Sequence, residues 1–236
     1  NNLGDTYHSL GEYQLVIDYS HQSLTITREI GDRNVEAASL NNLGNAYNSL
    51  GQYEIAIDYL QQSLAIKLEI GDRKGKADSL LYLGSAYHSL GQYQIAIDLC
   101  QQSLAITREK GDRKGEASSL VGLGNAYQSL GQYQISIYYL QQSLAITREI
   151  GDRKGEAVSL NNLSNAYHFL GEYKQAINYL QQSLAIFLEI GDRNGEAASL
   201  YNLGSAYFSL KQYQQAIDCY QQLLTIQREI GDRNSE

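Results

Sequence analysis

The side chains able to do chemistry are few, and their spacing forbids most of what they could do. The four histidines are His8, His21, His88 and His168. His8, His88 and His168 occupy one position of a 40-residue repeat and stand two repeats apart. Four helix steps of packed side chains would separate neighbours in that set by roughly 35 Å. Metal–ligand bonds are about 2 Å long, so these rings cannot share one ion. Cys100 and Cys219 lie almost three repeats apart, on the order of 50 Å, beyond the reach of a disulfide. They read as reduced, small side chains filling a helix surface, which favours a cytoplasmic home. Gly122-x-Gly124 lacks a third glycine in register and follows no strand, so it is no dinucleotide loop. Gly-Asp-Arg-Lys-Gly lacks the Gly-Lys-Ser/Thr of a phosphate loop, and the sequon Asn162-Leu163-Ser164 falls in mid-helix. The expectation is no catalytic residue, no cofactor and no metal: the chain is not an enzyme.

What remains is the scaffold that repeats. Gly-Asp-Arg recurs at Gly31, Gly71, Gly111, Gly151, Gly191 and Gly231, every 40 residues of the 236. A fixed period of this size indicates an array whose units touch only their neighbours. Hydrophobic residues make up 43% and charged residues 19%, enough apolar surface for a core and too few charges for a disordered acidic polymer. The net charge is −8, and the basic residues sit in the joints among acids, so no one-signed stripe awaits a nucleic acid. No apolar run approaches the roughly 18 residues that span a bilayer. With no Met and Asn-Asn at the start, the chain is expected to be a piece of a longer protein.

Residues 37–76 show one period. Positions 40, 43, 44, 47 and 50 carry apolar or small residues at helical spacing, and Tyr53, Ala56, Ile57, Leu60, Leu64 and Ile70 form a second stripe. Gly51 and Gly71 end the two helices, and Asp72 caps the next. A small residue recurs in mid-helix at Gly4, Gly44, Gly84, Gly124, Ser164 and Gly204, where Gly costs about 1 kcal/mol against Ala. Close helix approach explains it, as it does the small residues at Ala56, Ala96, Ala176 and Ala216. Tyr7, Tyr47, Tyr87, Tyr127, Tyr167 and Tyr207 read as core rings with hydroxyls at the helix edge.

The pattern Leu40-x-x-Leu43-Gly44-x-x-Tyr47, then Gly51-x-Tyr53-x-x-Ala56-x-x-x-Leu60, resembles the tetratricopeptide repeat, with Leu in place of the usual Trp. The 40-residue period and the missing proline set it apart from the 34-residue form. It is similar to the long repeats of kinesin light chains and Pins-type scaffolds, and to tandem repeats of cyanobacterial multidomain signalling proteins. The resemblance implies an all-α fold, a right-handed α-solenoid of antiparallel helix pairs. One array would hold six units: a partial 1–32, then 33–72, 73–112, 113–152, 153–192 and 193–232.

In that family the first helix of each pair lines a concave groove. The matching positions here are Asn1, Asn2 and Asp5; Asn41, Asn42, Asn45, Asn48 and Ser49; Leu81, Tyr82, Ser85 and His88; Val121, Gly122, Asn125 and Gln128. Asn161, Asn162, Asn165 and His168 follow, then Tyr201, Asn202, Ser205 and Phe208. Asn is a poor helix former, yet it clusters here while the second helices use Gln. An amide donates and accepts together, so a ladder of them suits the peptide groups of an extended chain. Leu81, Tyr82, Val121, Phe169, Tyr201 and Phe208 depart toward apolar character and would take a ligand's side chains. Members of the family that clamp a terminal carboxylate use Lys and Arg in the groove, and none stands at Asn41, Asn45, Tyr82, Ser118 or Gly122. The groove's acids are Asp5 and Asp78, so binding is expected to respond weakly to salt.

The functional expectation is a protein-interaction module that binds an extended peptide segment, from a partner or from its own parent protein, with no nucleic acid or membrane involved. Two alternatives stand beside it. One is a spacer or rod that stacks end to end through uncapped apolar residues such as Ile217, Leu224 and Ile230. The other is a peptide-sensing arm of a bacterial signalling protein, an analogy at the level of fold.

Overall fold

The structure, a computed structural model, describes residues 13–233, with side chains described through Glu229. The expectations for Asn1, Asn2, Gly4, Asp5, Tyr7 and His8, and for the Ile230 side chain, lie outside the described residues. Eleven α-helices follow one another, and no strand occurs among the described residues. They are α1 (Tyr13–Ile30), α2 (Arg33–Ser49), α3 (Tyr53–Glu69), α4 (Arg73–Ser89), α5 (Tyr93–Lys110) and α6 (Arg113–Ser129). The series continues with α7 (Tyr133–Glu149), α8 (Arg153–Phe169), α9 (Tyr173–Ile190), α10 (Arg193–Ser209) and α11 (Tyr213–Arg233). The chain divides into two compact units, residues 1–122 and 123–236, with the division inside α6.

Local chemistry sets the helix boundaries. Asp32, Asp72, Asp112, Asp152 and Asp192 each accept the backbone N–H three residues on, at 2.9 to 3.1 Å. Such a cap supplies one of the acceptors the first turn lacks, worth about 1 kcal/mol. Each helix pair turns over a glycine with positive φ, such as Gly51 at 76° and Gly71 at 69°. The turn at Lys211 is the exception, a side-chain-bearing residue at φ 61° where the other described repeats have Gly. A Cβ there crowds the backbone. Lys211→Gly is therefore expected to stabilise the fold by about 1 kcal/mol, read as a higher urea midpoint with unchanged slope.

Within the first unit each helix packs on the next from α1 to α5, and α2 also touches α4. In the second, α7 to α11 pack in sequence and α8 also touches α10. The first helices of adjacent pairs thus lie side by side within a unit. Leu40, Leu43 and Ala46 pack with Val16, Ile17, Leu24 and Ile66. In the second unit Leu180, Leu200, Leu203, Ala206 and Ile226 do the same. The mid-helix small residue is there because the helices cross at it: a Cβ on Gly124 would stand 2.6 Å from Leu140 Cγ. Ser164 fits the same crossing by donating its hydroxyl to the Asn161 carbonyl at 2.5 Å. Leu50 and Ile70, expected in the core stripes, are exposed instead, because each lies just beyond the last turn of its helix.

Buried serines make a second set of ties. Ser63 Oγ donates to the Ala37 carbonyl at 2.9 Å and lies 3.3 Å from Ser79 Oγ, so one hydroxyl joins α2, α3 and α4. Ser103 does the same with Ala77 and Ser119, and Ser183 with Ala157 and Ser199. Ser143 meets Ser159 at 3.0 Å.

The Gly-Asp-Arg joints are ionic. Glu36 is buried and receives Arg28 from the preceding helix and Arg33 from its own. Glu116 receives Arg108 and Arg113 in the same way, and Glu156 receives Arg148 and Arg153. The arginine at the helix start also reaches the far end of its pair: Arg33 to Glu69, Arg73 to Glu109, Arg153 to Glu189 and Arg193 to Glu229. Two joints are built differently. In one, Leu188 stands in place of that preceding-helix Arg beside Glu196. In the other, Leu68 and Lys76 replace both Arg and Glu, and the largely buried Lys67 bridges Asp72 and Asn34, each at 2.9 Å.

Candidate peptide-binding faces

The first helices carry every described residue expected to line a groove, and neighbouring contacts decide which can meet a ligand. Asn41 is 9% exposed and accepts the Ser79 hydroxyl at 3.3 Å. Asn161 is 8% exposed, donates to Ser199 Oγ at 3.1 Å and accepts from Asn202 Nδ2 at 2.9 Å. Both amides therefore fasten one first helix to the next. This corrects the expectation that they line a groove: their position points at the adjacent first helix, where a buried amide must be bonded.

One residue further on, the side chains are only half covered. Asn42, Asn45, Asn125, Asn162, Asn165 and Asn202 are all partly exposed. On α2, Asn42 Nδ2 and Asn48 Oδ1 have no partner, leaving a donor and an acceptor unused on one helix. Tyr82 and Tyr201 are exposed, Leu81 and Val121 half-buried. Gly122 departs from Asn for a packing reason, since a Cβ there would stand 2.7 Å from Cys100 Sγ and 3.3 Å from Leu81 Cδ1.

The remaining expected residues lie at the turn end of their helices. His88 packs on Tyr93 at 5.4 Å between ring centroids, and His168 on Tyr173 at 5.1 Å. Burial holds the His168 imidazole below its ordinary pKa, so it is neutral at pH 7. Phe208 is exposed against Tyr213 at 5.6 Å.

The cysteines need a second correction. Both are buried rather than spread on a helix surface, because Cys100 takes the core place of Leu60 and Leu140, and Cys219 that of Tyr59. Burial pushes the Cys100 thiol up to about 12. Among the described residues no three His, Cys, Asp or Glu side chains gather to hold a metal ion. No described helix is long and apolar enough to cross a membrane.

Sequence comparison identifies the repeat: the family model for the tetratricopeptide repeat matches residues 1–69, 75–149, 115–189 and 155–229. The chain belongs to the tetratricopeptide repeat family. Solved structures agree with the helix-pair fold. Nearly identical repeats of a putative kinesin light chain from Podosopora anserina share 27% identity over 83% of this chain and 96% of that one, with a TM-score of 0.64. BtubC (BKLC) from P. vanneervenii shares 17% over 93% and 92%, with a TM-score of 0.76. A Rap protein complexed with competence and sporulation factor shares 18% over 96% of this chain and 66% of that one, with a TM-score of 0.78. Curated proteins give no sequence match. The tetratricopeptide pairs here are thus an all-α solenoid of the protein-interaction type, carrying their 40-residue period through the ionic joints and the serine ties.

Proposed function

We propose that the first-helix faces hold an extended peptide segment of a partner or of the parent protein. In the first unit Asn42 and Asn45 take its peptide groups while Leu81, Tyr82 and Val121 take its side chains. In the second unit Asn125, Asn162, Asn165 and Asn202 act with Tyr201. The observation that supports this is the partial exposure of Asn42, Asn45, Asn125, Asn162, Asn165 and Asn202 on the first helices, beside the exposed Tyr82 and Tyr201. An amide donates and accepts at once, so half-exposed Asn side chains can pair with the peptide groups of an extended chain. The Rap complex supplies a bound example on a similar fold, which is an analogy. The buried thiols suit a reducing, cytoplasmic compartment.

A panned library of random unstructured peptides, rebound to the triple variant Asn42→Ala, Asn125→Ala, Asn162→Ala, tests the reading. Selected peptides are expected to bind the variant about tenfold more weakly, the loss of one to two net hydrogen bonds. Affinity should change little with salt, since no Lys or Arg belongs to the face. Unchanged affinity in the variant would remove the asparagines from the site.

A stacking rod has one observation of its own, the exposure of Ile217 and Leu224 on α11. Sedimentation over a range of concentrations decides it: Ile217→Lys with Leu224→Lys should abolish any oligomer the wild type forms.

A further inference from the structure

The most unusual surface lies at the turn edge of the second unit, where the last turns of first helices meet the first turns of second helices. Phe169 ends α8 and stacks on Tyr133, the first residue of α7, with centroids 5.5 Å apart and planes 7° from parallel. The run continues through His168, edge-on to Phe169 at 5.9 Å, to Tyr173 at 5.1 Å. One repeat further on, Phe208 and Tyr213 form the corresponding pair. Phe169, Phe208 and Tyr213 are 59%, 61% and 53% exposed. Isolated exposed rings are ordinary; an aligned ridge of them is not.

The rings are departures from an otherwise strict repeat. Phe169 stands where Ser49, Ser89, Ser129 and Ser209 occur, and Phe208 where Asn48, His88, Gln128 and His168 occur. Two cations join them on the same edge, and both are exposed. Lys174 replaces the Glu or Gln of the other described repeats, and Lys211 replaces Gly in a left-handed conformation that disfavours a side chain. One acid, Glu172, shares the edge. The matching edge of the first unit carries Glu54 and no lysine. In a chain of net charge −8, this is a local inversion of sign.

We propose that this edge is a second binding site, separate from the first-helix faces, for an acidic, proline-containing segment in polyproline II conformation. Flat, exposed rings suit prolyl rings, which arrive already ordered and so lose little entropy on docking. The period fits as well. First helices in contact lie about 9 Å apart, and α8 touches α10. Three residues of polyproline II rise roughly 9 Å, so a proline at every third residue meets one ring pair per repeat. The two lysines favour acids in the intervening positions, and steering by them weakens with salt.

The probe is a capped synthetic peptide of four Pro-Glu-Glu triplets, followed by calorimetry and by amide chemical shifts. It binds saturably, and its Ser-Glu-Glu and Pro-Lys-Lys counterparts bind at least about tenfold more weakly. The double variant Phe169→Ser, Phe208→Asn loses at least about tenfold in affinity. Both new residues occur at the equivalent positions of other repeats, so the variant keeps its fold, checked by its far-ultraviolet spectrum. Lys174→Gln with Lys211→Gly weakens binding and flattens its salt dependence. The proposal fails if no saturation is reached at about 1 mM probe, a millimolar limit that leaves no specific site. It fails equally if the serine or lysine peptide binds as well, or if the double variant binds unchanged. It also fails if the wild type self-associates through these rings and the double variant does not, which would assign the ridge to a second copy.

Discussion

Gly195→Val is expected to destabilise the chain by about 2–3 kcal/mol, as overpacking of a filled site does. A Cβ on Gly195 would run into the ring of Phe187, which is buried on α9. The same position in the first described pair holds Val35, and there the facing residue is Thr27 rather than Phe. Gly115 and Gly155 also stand against threonines, Thr107 and Thr147. The Val35–Thr27 pair thus shows that a threonine there can admit a larger residue, where the Phe187 ring fills the space. The cycle Gly195→Val, Phe187→Thr and the double substitution makes the case quantitative. The double variant should recover most of the loss that Gly195→Val causes in the wild-type background, a coupling of about 2 kcal/mol. Urea unfolding followed by circular dichroism measures all four proteins. Strict additivity would mean that the ring swings aside and the fit is not mutual.

Acid should loosen the joints. Burial pushes Glu36 and Glu116 upward, but hydrogen bonds from Arg28 and Arg33, and from Arg108 and Arg113, outweigh it and hold both carboxyls below the usual range. A carboxylate lowered by folding contributes stability that is fully present above its unfolded pKa of about 4.3 and is lost as pH falls through the lower folded value. Stability should thus decline from about pH 5 downward. Asp72 and Asp192 act in the same direction: desolvation raises them, but bonds from Gly75 and Lys67, and from Gly195 and Lys154, prevail. Asp78 opposes them, since burial raises its pKa and protonation relieves that cost. Glu116→Gln should cost about 2 kcal/mol at pH 7, the value of hydrogen bonds to a charged, buried group. The same variant should lose less than the wild type between pH 6 and pH 3 (roughly the carboxylate titration range). Parallel losses in the two proteins would place the acid sensitivity elsewhere.

The parts of this fold legible in the sequence are those whose causes are local. Asp72 caps a helix three residues away and Gly71 turns a single backbone angle, so motif and structure coincide. Gly44 was legible for another reason, because an unfavourable residue repeated in mid-helix requires a crossing. The serine ties were not, since Ser63 reads as a polar surface residue until Ser79 is brought against it from 16 positions away. The candidate site shows the same limit at finer scale. Asn41 and Asn42 are identical neighbours, yet one faces the next first helix and is consumed by Ser79, while the other is half exposed. Helical periodicity gives a stripe wide enough to contain both and cannot divide them. Phe169 was visible as an apolar departure, but its partner Tyr133 lies 36 positions earlier.

The interhelix ties have a genetic corollary. Ser63 to Ser79 and Arg33 to Glu69 span fewer residues than one period and recur one period further along as Ser103 to Ser119 and Arg73 to Glu109. Arg28 to Glu36 recurs two periods on as Arg108 to Glu116. Deleting or duplicating any 40-residue block thus gives most residues at the new junction a neighbour of the kind they had before. Array length can therefore drift by unequal recombination without passing through an unfolded product. Resistance to such drift comes from matched pairs that a cut would part, among them Phe187 with Gly195, Lys67 with Asn34 and Asn161 with Asn202. Copy number is the cheap variable of this design.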